Sequence, residues 1–318
     1  MAGSIVDESS TSPNRCANAP PLPNTEEDVD DVFFYLPDFF YLYKTNTALI
    51  QLVKTNPEFF KFKFNIGAIY GCFPNQIWNG GRSVRGNDVG VYNILDTIKK
   101  VNDVFKTPIR FTYTNPLITE EHLDDPFCNF VTEAANNGMN EILVNSPILE
   151  EYLRKKYPNF KYISSATRCI RDVDKINELT ASGQYHLVLG DYRDNFNFDF
   201  LSKIQDKDKI EILTDPACCQ DCVRRELHYK LLAQMQLGQQ TETDFSCEWE
   251  NADWVKIRDS GNIIKAEDLC KYISMGFKHF KLEGRNKHPS TVIESYLYYF
   301  VKPEFVEQLR LFLLREQF

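Results

Sequence analysis

Apolar residues in this chain fall into short runs separated by longer stretches of mixed polarity. The runs are Ile66–Phe73, Ile109–Tyr113, Glu141–Asn145, Lys161–Ser165, Tyr185–Leu189, Lys209–Thr214, Asp253–Ile257 and His279–Leu282. Each is rich in Ile, Val, Leu, Phe or Tyr, as strands buried on both faces should be. Helical stretches follow them at Val89–Phe105, Glu120–Asn136, Ile148–Lys156, Asp172–Thr180 and Phe198–Ile204, then just after Cys222, and at Lys265–Met275 and Ser290–Phe300. Phe305–Arg315 adds a terminal helix. This alternation predicts an α/β fold, a (β/α)8 TIM-like barrel. An open doubly wound sheet is the alternative. Against it, Asn79-Gly80-Gly81-Arg82 after the first run lacks the spacing of a dinucleotide fingerprint.

Ahead of the first run, Val32 to Phe60 is aromatic and apolar, with Phe33, Phe34, Tyr35, Phe39, Phe40 and Tyr41. We expect it to form an N-terminal aromatic helical layer closing the bottom of the barrel. Met1 to Asp31 is rich in Ser, Pro, Asn, Asp and Glu and is expected to be a disordered tail, with Cys16 inert within it. Residues 32–318 then form a single domain, long enough for a substantial core without disulfides.

The net charge of −9 gives no bulk attraction for nucleic acid, although a local basic groove keeps that partner open. No run of about 18 apolar residues exists, so no membrane span is expected. The N-terminus lacks the basic and apolar regions of a secretory signal. Nine cysteines at irregular spacing do not form an extracellular disulfide framework. A reducing cytoplasm with some cysteines as ligands fits better.

The chemistry concentrates at the end of the Lys209–Thr214 run, where Asp215-Pro216-Ala217-Cys218-Cys219-Gln220-Asp221-Cys222 is followed by Arg224, Arg225 and His228. Cys218 and Cys222 at C-x3-C spacing, with Cys247 downstream, suit a metal or an iron–sulfur cluster. Cys72 or Cys169, each near a strand end, could supply a fourth ligand, and Cys219 is a ligand or a neighbour. Zinc is the alternative metal, since His228 would complete a Cys3His set. The triplet of radical S-adenosylmethionine enzymes is absent, because Arg225 stands at its third position. Cys128 and Cys270, each inside a predicted helix, are read as core residues, and His122, His186 and His279 show no pairing pattern.

A barrel places its site at the C-terminal strand ends. Those ends carry Tyr70, Cys72, Tyr113, Asn115, Asn145, Ser146, Ser165, Thr167, Arg168, Asp191, Arg193, Asp215, Cys218, Arg258, Glu283 and Arg285. Arg suits planar recognition of carboxylate or phosphate. Arg82, Arg168, Arg193 and Arg285 are therefore candidates for binding an anionic small-molecule substrate or donor, with Glu283 and Asp215 orienting them or moving protons. Structural salt bridges among the same residues are the competing reading.

Two motifs carry a family resemblance. Cys218-x3-Cys222-x2-Arg225-x2-His228-Tyr229 resembles the cysteine segment of the collagenase-like peptidase superfamily, and Phe280-Lys281-Leu282-Glu283-Gly284-Arg285 resembles its glycine–arginine strand end. Ile264–Leu269, Tyr35–Phe40, Ile69–Pro74 and Trp78–Arg82 extend the likeness over roughly Val32 to Phe300. The resemblance implies a barrel-like catalytic domain and, as in several members, a 4Fe-4S cluster on four cysteines. It implies oxygen-independent hydroxylation of ubiquinone precursors, tRNA or rRNA, with prephenate as oxygen donor in some. Here that becomes an iron–sulfur enzyme with hydroxylase-type chemistry on an anionic small molecule or modified nucleotide. A peptidase, or an accessory protein with a structural metal site and a protein partner, are the alternatives. This chain lacks the family's clear fourth cysteine.

Overall fold

The computed structural model describes residues 31–241 and 246–317. The expected tail at residues 1–30 and its Cys16 lie outside them. Eight parallel strands pair in chain order and close on themselves: β1 (Phe33–Pro37), β2 (Asn65–Gly71), β3 (Ile109–Tyr113), β4 (Glu141–Val144), β5 (Lys161–Ser164), β6 (Leu187–Leu189), β7 (Ile210–Leu213) and β8 (His279–Lys281). Helices return the chain between strands: α1 (Tyr43–Thr55), α2 (Val91–Lys99), α3 (Pro126–Ala134), α4 (Pro147–Lys156), α5 (Val173–Ala181), α6 (Phe198–Ser202) and α7 (Arg225–Gln236). Two short helices, α8 (Trp254–Arg258) and α9 (Leu269–Ser274), precede β8. After it come α10 (Pro289–Phe300) and α11 (Val306–Gln317). The fold is thus the expected (β/α)8 barrel.

Two elements differ from expectation. Phe33–Pro37 is the first barrel strand rather than part of a helical layer, and it pairs with both β2 and β8. Phe34 and Leu36 face the shell between barrel and helices, while Phe33 and Tyr35 face the barrel interior. Both faces are apolar, so no polar alternation marks the strand. The aromatic layer exists, but strands and α10 build it together. Phe34 lies 5.5 Å from Phe280 and 4.8 Å edge-on from Phe300. The second difference is Asp253–Ile257, expected as a strand, which belongs to helix α8. Asp253 caps that helix by accepting the Lys256 N–H at 2.9 Å.

The barrel interior is charged as well as apolar. Tyr35, Ala68, Tyr70, Leu143, Ile163, Leu187 and Leu189 form its inner cluster. Among them Arg110 of β3 donates to Glu141 of β4 at 2.7 Å and to Glu211 of β7. Its guanidinium lies 3.9 Å from the centre of the Tyr35 ring. Charges taken so far from water persist only when paired, and this network links three strands of the wall.

Candidate metal centre and anion cavity

The loop from β7 to α7 carries the cysteines. Its shape is fixed from both sides: Tyr192 donates its hydroxyl hydrogen to the Cys219 carbonyl at 3.0 Å, and Asn262 donates to the Cys218 carbonyl at 3.0 Å. Asp221 takes the left-handed conformation, with φ of 52°, and turns Cys222 back toward its predecessors. The sulfurs of Cys218, Cys219 and Cys222 all lie within 4.8 Å of one another. Burial pushes the Cys218 thiol up to about 12, the neighbouring Cys222 adding to it while Tyr192 and Arg225 oppose. Crowded thiolates repel one another, and a bound cation removes that penalty.

The group can hold a metal ion. Tetrahedral zinc at about 2.3 Å from each sulfur sets sulfurs about 3.8 Å apart, so three sulfurs this close fit a single ion with little movement. Among the described residues the group includes Cys219 and excludes Cys247, Cys72 and Cys169. Cys247 lines the adjoining cavity, on a segment that Lys287 holds by donating to the carbonyls of Trp249 and Glu250 at 2.6 and 2.7 Å. Cys72 is sealed beyond the end of β2, where burial pushes its thiol up to about 12. Cys169 ends a turn after β5, and burial raises its thiol too. Neither lines the cavity.

That cavity opens at the C-terminal mouth of the barrel. Cys218 joins it to the thiol group, and Arg82, Arg225, His228, Lys281, Glu283 and Arg285 line it. Arg285 donates to Asn79 Oδ1 at 2.9 Å, Thr112 Oγ1 at 2.8 Å and the Gly80 carbonyl at 3.1 Å. All three acceptors are neutral, and among the described residues no carboxylate pairs with it. The loop that presents Asn79 and Gly80 needs glycine. A Cβ on Gly80 would stand 2.4 Å from the Thr114 carbonyl oxygen, and Gly81 has φ of +74°. Gln236 of α7 clasps the same loop, accepting from the Val84 N–H at 2.7 Å and donating to the Gln76 carbonyl at 2.8 Å.

Arg82 pairs with Glu283, which also accepts the Ala217 N–H at 3.1 Å. Burial works against the Glu283 charge, but Arg82, Lys287 and that N–H outweigh it and hold the carboxyl below its usual range. Asp215 stands behind the rim, not in the cavity. It accepts the Glu283 N–H at 2.6 Å and the Ser295 hydroxyl at 2.7 Å, and so aims Glu283.

The remaining arginines divide. Arg168 pairs with Glu150 at 2.8 Å, and Arg193 pairs with Asp191 at 2.7 Å. Both are structural ion pairs away from the cavity. Arg258, expected at a strand end, closes α8 and pairs with the adjacent Asp259. Of the other strand-end residues, Tyr70, Ser165 and Thr167 do line the cavity. Tyr113, Asn115, Asn145, Ser146 and Asp191 serve neighbouring backbone or side-chain hydrogen bonds instead.

Two lining residues were not among the anion-binding candidates: Arg225, expected only as a cation beside the thiols, and Lys281, which had no expected role. Arg225 opens α7, where the helix dipole disfavours a cation. It is buried between the Tyr192 and Tyr229 rings, 4.3 and 4.8 Å from their centres, and its nearest carboxylate atom, on Asp191, is 3.6 Å away. Its placement after Cys222 was the available signal. Lys281 projects inward from β8 and sits over the Tyr70 ring at 3.7 Å. The strand's alternation from outward Phe280 was the clue there. Burial holds His228 neutral, down to about 4, and pushes the Tyr229 phenol up to about 12. No family model matches the chain, and no curated protein matches it.

Proposed function

We propose that the protein is an iron–sulfur enzyme that binds an anionic substrate or donor beside its cluster and carries out oxygen-independent, hydroxylase-type chemistry. The observation that carries this is the contact between a three-thiol group and a cavity whose Arg285 has no carboxylate partner among the described residues. Cys218, Cys219 and Cys222 would hold the metal, with Cys247, which lines the adjoining cavity, a further thiol. A bound cluster would supply electron transfer. Arg285 and Arg225 would take the anion's oxygens, Arg285 with a geometry already fixed by Asn79, Thr112 and Gly80. Glu283, kept ionised by Arg82, would hold that arginine out of competition for the ligand. The resemblance to the collagenase-like peptidase superfamily stands on its motifs alone.

A second reading is a single zinc ion, favoured by sulfurs lying within 4.8 Å of one another. It would suit a peptidase or a structural site. Anaerobic isolation with iron, sulfide and zinc analysis separates the two. Iron with equimolar sulfide supports the first reading; stoichiometric zinc without sulfide replaces it with the second. Neither metal, from a culture supplied with both, would end the metal-enzyme reading.

A further inference from the structure

Lys281 is a lysine built for something other than a surface charge. It stands on β8 with its side chain 8 % exposed, and that remnant faces the anion cavity. Its neighbours come from each wall around it: Glu211 of β7, Arg110 of β3, Tyr70 of β2, and Glu283 and Arg285 beyond its own strand. Among the described residues the nearest carboxylate oxygen, Glu211 Oε1, is 3.8 Å away, beyond hydrogen-bond reach, and that oxygen has no hydrogen-bond partner. Glu211 is instead committed through its other oxygen to Arg110. The ammonium form would therefore be buried with no carboxylate of the described residues within hydrogen-bond reach. Burial pushes the amine down to about 7, Glu211 opposing and Arg110 and Arg285 adding to the fall. Lys281 and Arg285 also flank one ring, that of Tyr70, at 3.7 and 5.8 Å from its centre. An amine and an unpaired guanidinium thus face one cavity side by side.

We propose that Lys281 is a nucleophile that forms an imine with a carbonyl-bearing carboxylate whose carboxylate group is held by Arg285. The neutral amine adds its lone pair to the carbonyl carbon, and the carbonyl π electrons move to oxygen. One proton passes from nitrogen to that oxygen. A second proton, taken from solvent at the open mouth, lets the oxygen leave as water. The product is a protonated imine, joined to Lys281 by a C=N bond, with no change of oxidation state. Such a linkage withdraws electrons from the adjacent carbon. The inference rests on the anion-binding half of the proposed function and needs no metal.

The test uses the full-length protein as isolated, at pH 7, with glyoxylate as the probe and sodium cyanoborohydride to reduce any imine to a stable secondary amine. Peptide mass spectrometry then locates the added carboxymethyl group. An ordinary exposed lysine is less than about 0.1 % neutral at pH 7, so Lys281 should carry at least about tenfold more label than the exposed lysines. Acetaldehyde, which lacks the carboxylate, should show only the smaller preference that the neutral amine gives by itself. Label on exposed lysines with none on Lys281 overturns the proposal. Equal preference with acetaldehyde overturns the role of Arg285. Because labelling needs no cluster, metal-free protein that labels at Lys281 sinks the iron–sulfur reading alone, and metal-loaded protein that does not label sinks this one alone. The wild-type protein gives the answer, whether or not Lys281→Met folds.

Discussion

Arg285 differs from the other strand-end arginines in what its guanidinium meets. Its guanidinium bonds three neutral acceptors and, among the described residues, pairs with no carboxylate in the cavity. Arg168 and Arg193, also at strand ends, spend their charge on Glu150 and Asp191. Arg285→Lys keeps the charge but loses the planar fork. We expect the variant to bind malonate about tenfold more weakly by calorimetric titration, with a melting temperature close to that of wild type. Unchanged binding removes Arg285 from the site, and loss of the folded state makes it a structural brace. From sequence these arginines looked alike, because their partners lie far along the chain or on a neighbouring turn. Glu150 is 18 residues from Arg168, and Thr112 is 173 from Arg285. The cysteines were legible because their grouping is local. Cys218, Cys219 and Cys222 share one loop, but grouping Cys219 with the other two and leaving out Cys247, Cys72 and Cys169 required the fold.

At the scale of elements, the barrel was readable because its strands are short apolar runs at regular intervals between amphipathic helices. β1 was not, since an aromatic segment buried on both faces has no period to distinguish strand from helix. α8 was misread because Trp254, Val255 and Ile257 resemble a strand, although Val255 is more than half exposed and Asp253 is a helix cap. The charged network inside the wall ties β3, β4 and β7 through Arg110. Arg110→Met would strand the Glu141 and Glu211 carboxylates in the barrel interior. We expect a loss of about 3–5 kcal/mol in chemical denaturation. A loss below 1 kcal/mol would mean that water or Lys281 takes over the pairing.

For the molecule as a whole, closure depends on β1, which bridges β2 and β8. A chain beginning at Asp31 retains that strand and should unfold cooperatively near the wild-type midpoint. A chain beginning at Lys61 lacks β1 and α1, leaving two open edges and the exposed rings of Phe280 and Phe300, each worth roughly 1.5–3 kcal/mol when buried. It should aggregate or lose its cooperative transition; melting like the full chain would contradict the barrel closure described here. The closed wall in turn fixes the rim, where the β7 and β8 ends meet through Asp215 and Glu283, and the thiols sit above that junction. The central claim is that Cys218, Cys219 and Cys222 hold a metal beside the cavity. Native mass spectrometry of anaerobically isolated wild type, Cys222→Ala and Cys247→Ala tests it most directly. The account predicts a metal centre in wild type, its loss in Cys222→Ala and its retention, in whole or large part, in Cys247→Ala. A metal-free wild type, or a Cys222→Ala protein as fully loaded as wild type, would contradict it.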